Sequence, residues 1–227
     1  MSDAPSGLKR QQPYAPPPDT GLQIIYEDAD LIAIDKPAGL LSVPGRGALL
    51  QDCALHRVLA RYPSALLVHR LDEATSGLLL FALSPAVQKA LSAAFETRKI
   101  HKTYHAWVHG TDLPQSGVID APIAADWPHR PLRKIDIHAG QAARTPFYLL
   151  SKNEHSAQAL CRLEPETGRT HQLRVHMQHI GHPIVGDKLY GLPQDETHRL
   201  MLHASGLKFL HPAADARLME LDCPAAF

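Results

Sequence analysis

Residues 69–78 concentrate side chains that can do chemistry and read His-Arg-Leu-Asp-Glu-Ala-Thr-Ser-Gly-Leu. An apolar run delivers Asp72 into a polar loop, with Arg70 two residues before it and Gly77 five residues after it. Because a nearby cation favours the charged form of a carboxylate, we expect Asp72 to be ionised and nucleophilic at neutral pH. The same pattern also describes an ordinary turn that Asp72 caps, and by itself it does not decide between the two interpretations.

A second group of chemically capable residues is a set of four histidines within twelve residues: His171, His176, His179 and His182. Clustered histidines suggest a metal site, but helical metal pairs are usually spaced i, i+4 with a glutamate base, and no His-Glu-x-x-His pattern occurs. His171 and His176 are five residues apart and do not share a helix face. We therefore predict no metal, and a histidine-rich metal hydrolase remains an alternative.

The overall charge argues weakly against a polyanionic partner, because 23 Lys and Arg residues balance 23 Asp and Glu residues. Any grip on nucleic acid must then come from local patches. Two clusters of basic residues are candidates for phosphate contacts, and each is also consistent with a solvated charged face. The first cluster lies within residues 98–102 and the second within residues 129–134. We predict RNA contacts for Lys102 in the first cluster and for Arg130, Arg133 and Lys134 in the second.

These residues must be positioned by a mixture of strands and helices. Alternating and β-rich runs predict a hairpin over 22–35 and strands over 66–70, 78–83, 102–108, 161–163 and 200–203. Helical spacing predicts helices over 52–62 and 170–180, and Ser84-Pro85 predicts the start of a helix ending near residue 98. Consecutive strands outnumber helices, which indicates an α+β fold with a largely antiparallel sheet.

Composition also suggests how the chain is organised. Residues 1–20 are proline-rich and polar, so we expect a flexible tail before one folded domain over 21–227. The three cysteines are widely spaced and predict neither a disulfide framework nor a metal knuckle. The most apolar run, 78–83, is far shorter than the roughly 20 residues that span a bilayer. With no secretory signal pattern at the start, we expect a cytoplasmic protein without membrane contact.

The segment 69–80, His-Arg-Leu-Asp-Glu-Ala-Thr-Ser-Gly-Leu-Leu-Leu, resembles the catalytic motif of the RluA family of pseudouridine synthases. Further segments resemble that family's motifs in the same order along the chain: 27–39, 102–110, 167–176, 181–187 and 202–204. The resemblance implies that Asp72 is the catalytic carboxylate. It also implies that Tyr104 is the active-site tyrosine and that Arg174 pairs with Asp72.

The resemblance further implies a cofactor-free enzyme with the pseudouridine synthase core and a central active-site cleft. Segments 40–46 and 126–131 are similar to the subgroup that modifies both a 23S ribosomal RNA hairpin loop and a tRNA anticodon loop. About 20 residues precede the first predicted strand, too few for the S4 RNA-binding domain that many relatives carry. We expect the protein to act as a monomer.

Roles for the remaining motif residues are hypotheses. Arg70 could fill the gap left by an extruded base, and Tyr104 and Leu173 would shape the pocket. We also predict that His69 contacts the RNA. Each has a structural alternative: Tyr104 as strand packing, Arg174 as a solvated helix residue, Arg70 in a surface ion pair. Two functional alternatives also remain, a synthase that acts on only one of the two RNAs and a non-catalytic RNA-binding protein of the same fold.

Overall fold

The computed structural model describes residues 13–193, 195, 199–213 and 216–227. The strands in these ranges are β1 Gln23–Glu27, β2 Leu31–Lys36, β3 Leu66–Leu67, β4 Ser76–Ala82, β5 His101–His109, β6 Ser116–Asp120, β7 Ile123–Ala125, β8 Arg133–Ile135, β9 Arg144–Asn153, β10 Gln158–Leu163, β11 Leu202–Leu210 and β12 Leu218–Asp222. The α-helices are α1 Ala54–Leu59, α2 Pro85–Glu96 and α3 Gln172–His179. Among the described residues, no helix has the length and apolarity needed to cross a membrane.

Ten strands form one sheet with the spatial order β1-β2-β4-β11-β5-β10-β9-β6, to which β3 adds beside β4 and β12 beside β11. Strands β7 and β8 pair separately as a small sheet. Strand β4 runs parallel to β11, whereas every other pairing between the described strands is antiparallel. The predicted α+β fold with a largely antiparallel sheet is therefore confirmed.

Strand β4 is buried on both of its faces. Leu78 and Leu80 pack into the hydrophobic cluster that includes Val87 and Leu91 of α2, and Leu79 packs into the cluster under α1 on the opposite face. Two-sided burial explains why the strand reads as a continuous apolar run rather than an alternating one. Since each buried leucine contributes about 1.5–3 kcal/mol, β4 is a rigid base for the loop that precedes it.

The start of β4 lies where the two parallel strands meet, and the glycine there is a steric requirement. Gly77 has φ +108°, and a Cβ on it would lie 2.2 Å from the carbonyl oxygen of Ala204. Only glycine tolerates both this backbone conformation and so close an approach. Beside it, the Ser76 hydroxyl lies 2.9 Å from Nδ1 of His203, so β11 fixes the end of the loop that carries Asp72.

The strand predicted over 66–70 is shorter in the structure, where β3 covers only Leu66–Leu67. Beyond Leu67 the backbone hydrogen bonds between β3 and β4 end. The amide of Leu80 instead donates to a side-chain atom, Nε2 of His69, at 3.1 Å. His69 also stacks on Phe95 with 4.5 Å between ring centroids. Asp72 consequently lies in a loop, and Arg70, which we predicted to end a strand, lies outside β3.

The described part of the predicted tail contacts the domain. The hydroxyl of Tyr14 donates to the carbonyl of Asp52 at 2.8 Å and accepts from the amide of Leu41 at 3.0 Å. Arg57 donates to the carbonyl of Pro17 at 2.7 Å. Residues 1–12 lie outside the described residues, so their flexibility and the domain boundaries stay predictions.

The contact of His69 generates a prediction about stability and pH. Burial, with the positive charge of Lys102, lowers the pKa of His69 from 6.5 to about 3. Below pH 6.5 His69 is protonated in the unfolded chain but stays neutral in the folded chain until the pH approaches 3. The free energy of unfolding therefore decreases as the pH falls. We expect this residue to account for about 2 kcal/mol of the decrease in stability between pH 7 and pH 5.

Urea unfolding of wild type and His69→Gln at both pH values measures the effect, since glutamine keeps an acceptor for Leu80 but does not titrate. The stability of the variant should decrease less than that of wild type over this range. His101→Gln, at an exposed position of β5, controls for removal of an imidazole. Equal decreases in wild type and His69→Gln would contradict the prediction.

Candidate active site

A cleft of about 630 Å³ opens between the loop before β4, strand β5, the loop at 165–171 and the start of α3. Most residues predicted from the sequence to act in the site line this cleft. They are His69, Arg70, Asp72, Lys102, Tyr104, Leu173 and Arg174. Two others, Arg133 and Lys134, line a neighbouring cavity, and Arg130 lies over the ring of Trp127, which lines that same cavity.

Asp72 faces this cleft and not bulk solvent, with 27% of its side chain exposed. Its Oδ2 atom accepts a hydrogen bond from Nη1 of Arg174 at 3.3 Å. Nε2 of His171 is 3.9 Å from the same oxygen. Among the described residues, Oδ1 has no hydrogen-bond partner, so one carboxylate oxygen is held by the protein and the other is available to a substrate.

Arg174 reaches Asp72 with one nitrogen only, because its bidentate fork is made with another acid. Nε and Nη2 of Arg174 each donate to a carboxylate oxygen of Asp187 at 2.7 Å. Arg174 and Asp72 are therefore paired, as the resemblance implies, but through a single hydrogen bond. Burial alone would lower the pKa of Arg174, but the hydrogen bonds and charges of Asp187 and Asp72 outweigh it and raise that pKa, so the guanidinium stays charged.

Asp187 is a functional residue that the sequence analysis missed. Its side chain is fully buried, and its Oδ1 also accepts from the amides of Leu189 and Tyr190 at 2.9 and 3.1 Å. The preceding Gly186 has φ +75°, and a Cβ there would lie 1.8 Å from the carbonyl oxygen of Arg199. In the sequence, Asp187 is marked only by its place after Gly186 at the end of segment 181–187. That position does not reveal that Arg174 is its partner.

Tyr104 borders the cleft from β5, where its neighbours across the sheet are Leu163 and Ala204. Burial, with a smaller contribution from the negative charge of Asp72, raises the pKa of the phenol. The hydroxyl is therefore protonated at neutral pH, and no hydrogen-bond partner for it lies in the described part of the chain. It is available as a donor inside the cleft.

The loop that carries Asp72 is fastened to the end of β2 and to the loop that follows it, again through residues that the sequence did not single out. Nζ of Lys36 donates to the carbonyls of Pro37, Leu40 and Glu73 at 2.9, 2.8 and 3.1 Å. The Ser42 hydroxyl donates to the carbonyl of Leu71 at 2.7 Å and accepts from its amide at 3.1 Å. These bonds on both sides of position 72 fix the direction of the carboxylate.

Burial lowers the pKa of Lys36 to about 7, against the opposing negative charges of Asp72, Glu73 and Asp35. Three carbonyl oxygens around Nζ are a full set of acceptors for an ammonium group, which has three donors and no acceptor. The protonated form is the one that ties the two loops together.

His171 lines the cleft and occupies the left-handed backbone region, with φ 58°, just before α3. Its Nδ1 is 2.7 Å from the hydroxyl of Tyr190, which accepts from the amide of Arg133 at 2.8 Å. Burial lowers the pKa of His171, which the charge of Asp72 opposes.

Two of the other clustered histidines, His176 and His182, are hydrogen-bonded to protein groups. His176 is hydrogen-bonded through Nδ1 to the hydroxyl of Thr145 and through Nε2 to the carbonyl of Ala121, both at 2.9 Å. Nδ1 of His182 lies 2.9 Å from the carbonyl of His109. Within the ranges that the structure describes, the two groups with metal-binding proximity contain none of the four clustered histidines. The prediction that the enzyme needs no metal stays a prediction.

The predicted RNA contacts differ in exposure. Arg70 is exposed at the cleft, whereas Lys102 donates to the carbonyl of Thr167 at 3.0 Å, and burial with the charge of Arg98 lowers its pKa to about 8. Leu173 is 6% exposed. Lys134 lies 3.7 Å from Asp136. Their contacts with RNA stay predictions.

Comparison with known proteins identifies this arrangement. Residues 30–179 match the model of the RNA pseudouridylate synthase family. The chain belongs to this family. Dual-specificity RNA pseudouridine synthase RluA of Vibrio vulnificus is 45% identical over 204 residues, 88% of this chain and 82% of that protein. The protein of the same name from Escherichia coli is 42% identical over 218 residues, 94% of this chain and 98% of that protein.

Solved structures of family members share the fold. Human RNA pseudouridylate synthase domain containing 1 superimposes with a TM-score of 0.78 at 28% identity, over 94% of this chain and 87% of that one. Human RNA pseudouridylate synthase domain containing 4 superimposes with a TM-score of 0.73 at 26% identity, over 89% of this chain and 88% of that one. The predicted family, the pseudouridine synthase fold and an enzyme of the isomerase class are thereby confirmed.

The Arg174–Asp187 pair leads to a second prediction. Both partners are buried, so Asp187→Ala removes the bidentate partner of the guanidinium and leaves it only the longer contact with Asp72. This change should lower the free energy of unfolding by about 3–5 kcal/mol. Chemical denaturation measures the change. The control is Glu220→Ala, which breaks the exposed Glu220–Lys208 pair and should cost about 0–1 kcal/mol. Similar destabilisation in the two variants would show that Asp187 does not anchor the arginine.

Proposed function

We propose that this protein isomerises uridine to pseudouridine in RNA stem-loops, in both 23S ribosomal RNA and the tRNA anticodon loop, with Asp72 as the catalytic carboxylate. The observation that carries the proposal is the Asp72 carboxylate in the cleft, with one oxygen 3.3 Å from Nη1 of Arg174 and the other unpartnered among the described residues. The names of the bacterial relatives support action on two kinds of RNA.

The reaction breaks the bond from ribose C1′ to uracil N1, turns the base and rejoins it through C5. It requires no net oxidation or reduction and no group donor, so side chains suffice for it. An ionised carboxylate can serve by adding to C6 of the base, by attacking C1′ or by removing the C2′ proton. Each of these routes uses a free carboxylate oxygen, and Oδ1 of Asp72 supplies it.

Arg174 keeps the Asp72 carboxylate in place while the base is detached. Its guanidinium is only 5% exposed, so the interaction with Asp72 is weakly screened by solvent. A docked RNA would cover the exposed 27% of Asp72 and exclude water from the reacting bond.

The target uridine must leave its stack to reach this depth, at a cost of a few kcal/mol. Tyr104 and Leu173 line the space beside Asp72 and can receive the base with a ring and an aliphatic surface. The exposed guanidinium of Arg70, at the same cleft, can fill the gap left in the RNA. Lys102 and the basic residues at 129–134 provide charge for the phosphates.

The proposal includes a cytoplasmic monomer that acts without a cofactor. Net charge is zero, so attraction to RNA must be local, from the exposed arginines and lysines around the cleft.

The catalytic assignment is tested with wild type and Asp72→Asn on unmodified tRNA and 23S ribosomal RNA transcripts, without added cofactor or metal, followed by pseudouridine mapping. Wild type should form pseudouridine in both RNAs. The variant should form none, because asparagine keeps the shape but has no ionised oxygen for the reaction. Glu73→Gln, a change to the adjacent acid, is the matched control.

Activity of Asp72→Asn comparable to wild type would remove the mechanism. Product in ribosomal RNA alone would remove only the dual-substrate claim. RNA binding by wild type with no product in either RNA would favour a non-catalytic binding protein.

The phosphate contacts are tested through salt dependence. Replacing Arg133 and Lys134 with alanine should weaken RNA binding and flatten the plot of log K against log salt by about 0.7–0.9 for each phosphate that the variant no longer neutralises. Fluorescence anisotropy titrations from low to moderate salt provide the slopes. Lys208→Ala, on β11 away from both cavities, is the control, and an unchanged slope in the double variant would exclude this patch.

A further inference from the structure

A second cavity, of about 500 Å³, lies beside the active cleft. Both spaces are lined by Gly168, Arg169 and Thr170, so one short segment separates them. Three residues of chain span at most about 10 Å. Nucleotides close to one another in a single RNA loop can therefore occupy both spaces at once.

Trp127 lines this second cavity and is 68% exposed. One face of its indole is covered, since the guanidinium carbon of Arg130 lies 3.4 Å from the ring centroid. The ring is held in a short 3-10 segment, Trp127–His129, whose ends are tied by backbone bonds from Asp126 to Leu132 and from His129 to Asp126. An exposed indole backed by a cation on one side is a ready surface for a flat aromatic group on the other.

The cavity is also positively charged. Arg133, Lys134 and Arg169 line it, and Asp136 is the single acid among its described lining residues. A phosphate or base oxygen in the cavity would meet the positive charge of Arg133. Aromatic surface beside such positive charge is the combination that binds an unstacked nucleotide.

We infer that this second cavity binds a second unstacked base of the same RNA, stacked on Trp127, with a phosphate or base oxygen at Arg133. The inference rests on the proposed function and adds a specificity subsite to it. Extruding one uridine from a loop deprives its neighbours of a stacking partner, and Trp127 restores one. A base that stacks on a protein aromatic gains about 1–3 kcal/mol.

The test is an abasic scan of the substrate stem-loop. Each loop nucleotide other than the target uridine is replaced in turn by an abasic one, and the dissociation constant is measured with wild type, Trp127→Ala and Trp127→Phe. One position should weaken wild-type binding by about 5- to 150-fold. The same replacement should change binding to Trp127→Ala by less than about twofold, and Trp127→Phe should behave nearly as wild type.

The stacking interaction can also be observed directly, because the chain has two tryptophans. In a Trp107→Phe background, intact RNA should quench the fluorescence of Trp127, and RNA abasic at the identified position should not. Leu218→Ala, a 55% exposed residue on β12, is the control for removal of exposed apolar surface and should leave the scan unchanged.

Abasic effects that are equal in wild type and Trp127→Ala, or absent at every position, would overturn the inference. Pseudouridine formation by wild type on the intact stem-loop is scored in parallel. If wild type forms pseudouridine but no abasic position has a Trp127-dependent effect on binding, only the subsite is rejected. If an abasic position has a Trp127-dependent effect but no pseudouridine forms, only the proposed reaction is rejected.

Discussion

One buried guanidinium shared between two carboxylates is the interaction on which the rest of the site depends. Asp187 takes both nitrogens of the fork of Arg174 at 2.7 Å, which leaves Nη1 to hold one oxygen of Asp72 at 3.3 Å. The pair with Asp187 sets the position of Arg174, and the contact of Arg174 with Asp72 sets the position of the catalytic carboxylate. Because two negative charges face one positive charge, Asp72 is held without being fully neutralised, and its second oxygen remains reactive.

The fold delivers Asp72 to that guanidinium through the junction of β4 and β11. The close approach at Gly77 allows the two strands to run parallel there, and Ser76 and His203 secure the junction. Before the strand, Lys36 and Ser42 fasten the loop from the opposite side. The arginine arrives separately, on α3, so the site is complete only when distant parts of the chain have packed.

Local patterns were sufficient to predict much of this molecule. The β1–β2 hairpin, the helix that begins after Ser84 and the loop with Asp72 follow from alternation, capping and a specific motif, all of which are encoded by neighbouring residues. Asp187, Tyr190 and Lys36 were not found because their roles are contacts with residues far along the chain or with backbone carbonyls. The second partner of Arg174, Asp187, was missed for the same reason: a sequence shows which charges exist but not which acids an arginine meets.

The most direct test of the shared guanidinium is the single-turnover rate constant of Arg174→Lys at saturating RNA, with the dissociation constant measured separately. Lysine keeps a positive charge but cannot hold Asp187 and Asp72 together in fixed geometry. We expect a rate constant lower by roughly 100-fold and nearly unchanged affinity, since the arginine is 5% exposed and its nitrogens are directed at the two acids. A normal rate constant with weakened binding would contradict this role, because Arg174 would then be an RNA contact.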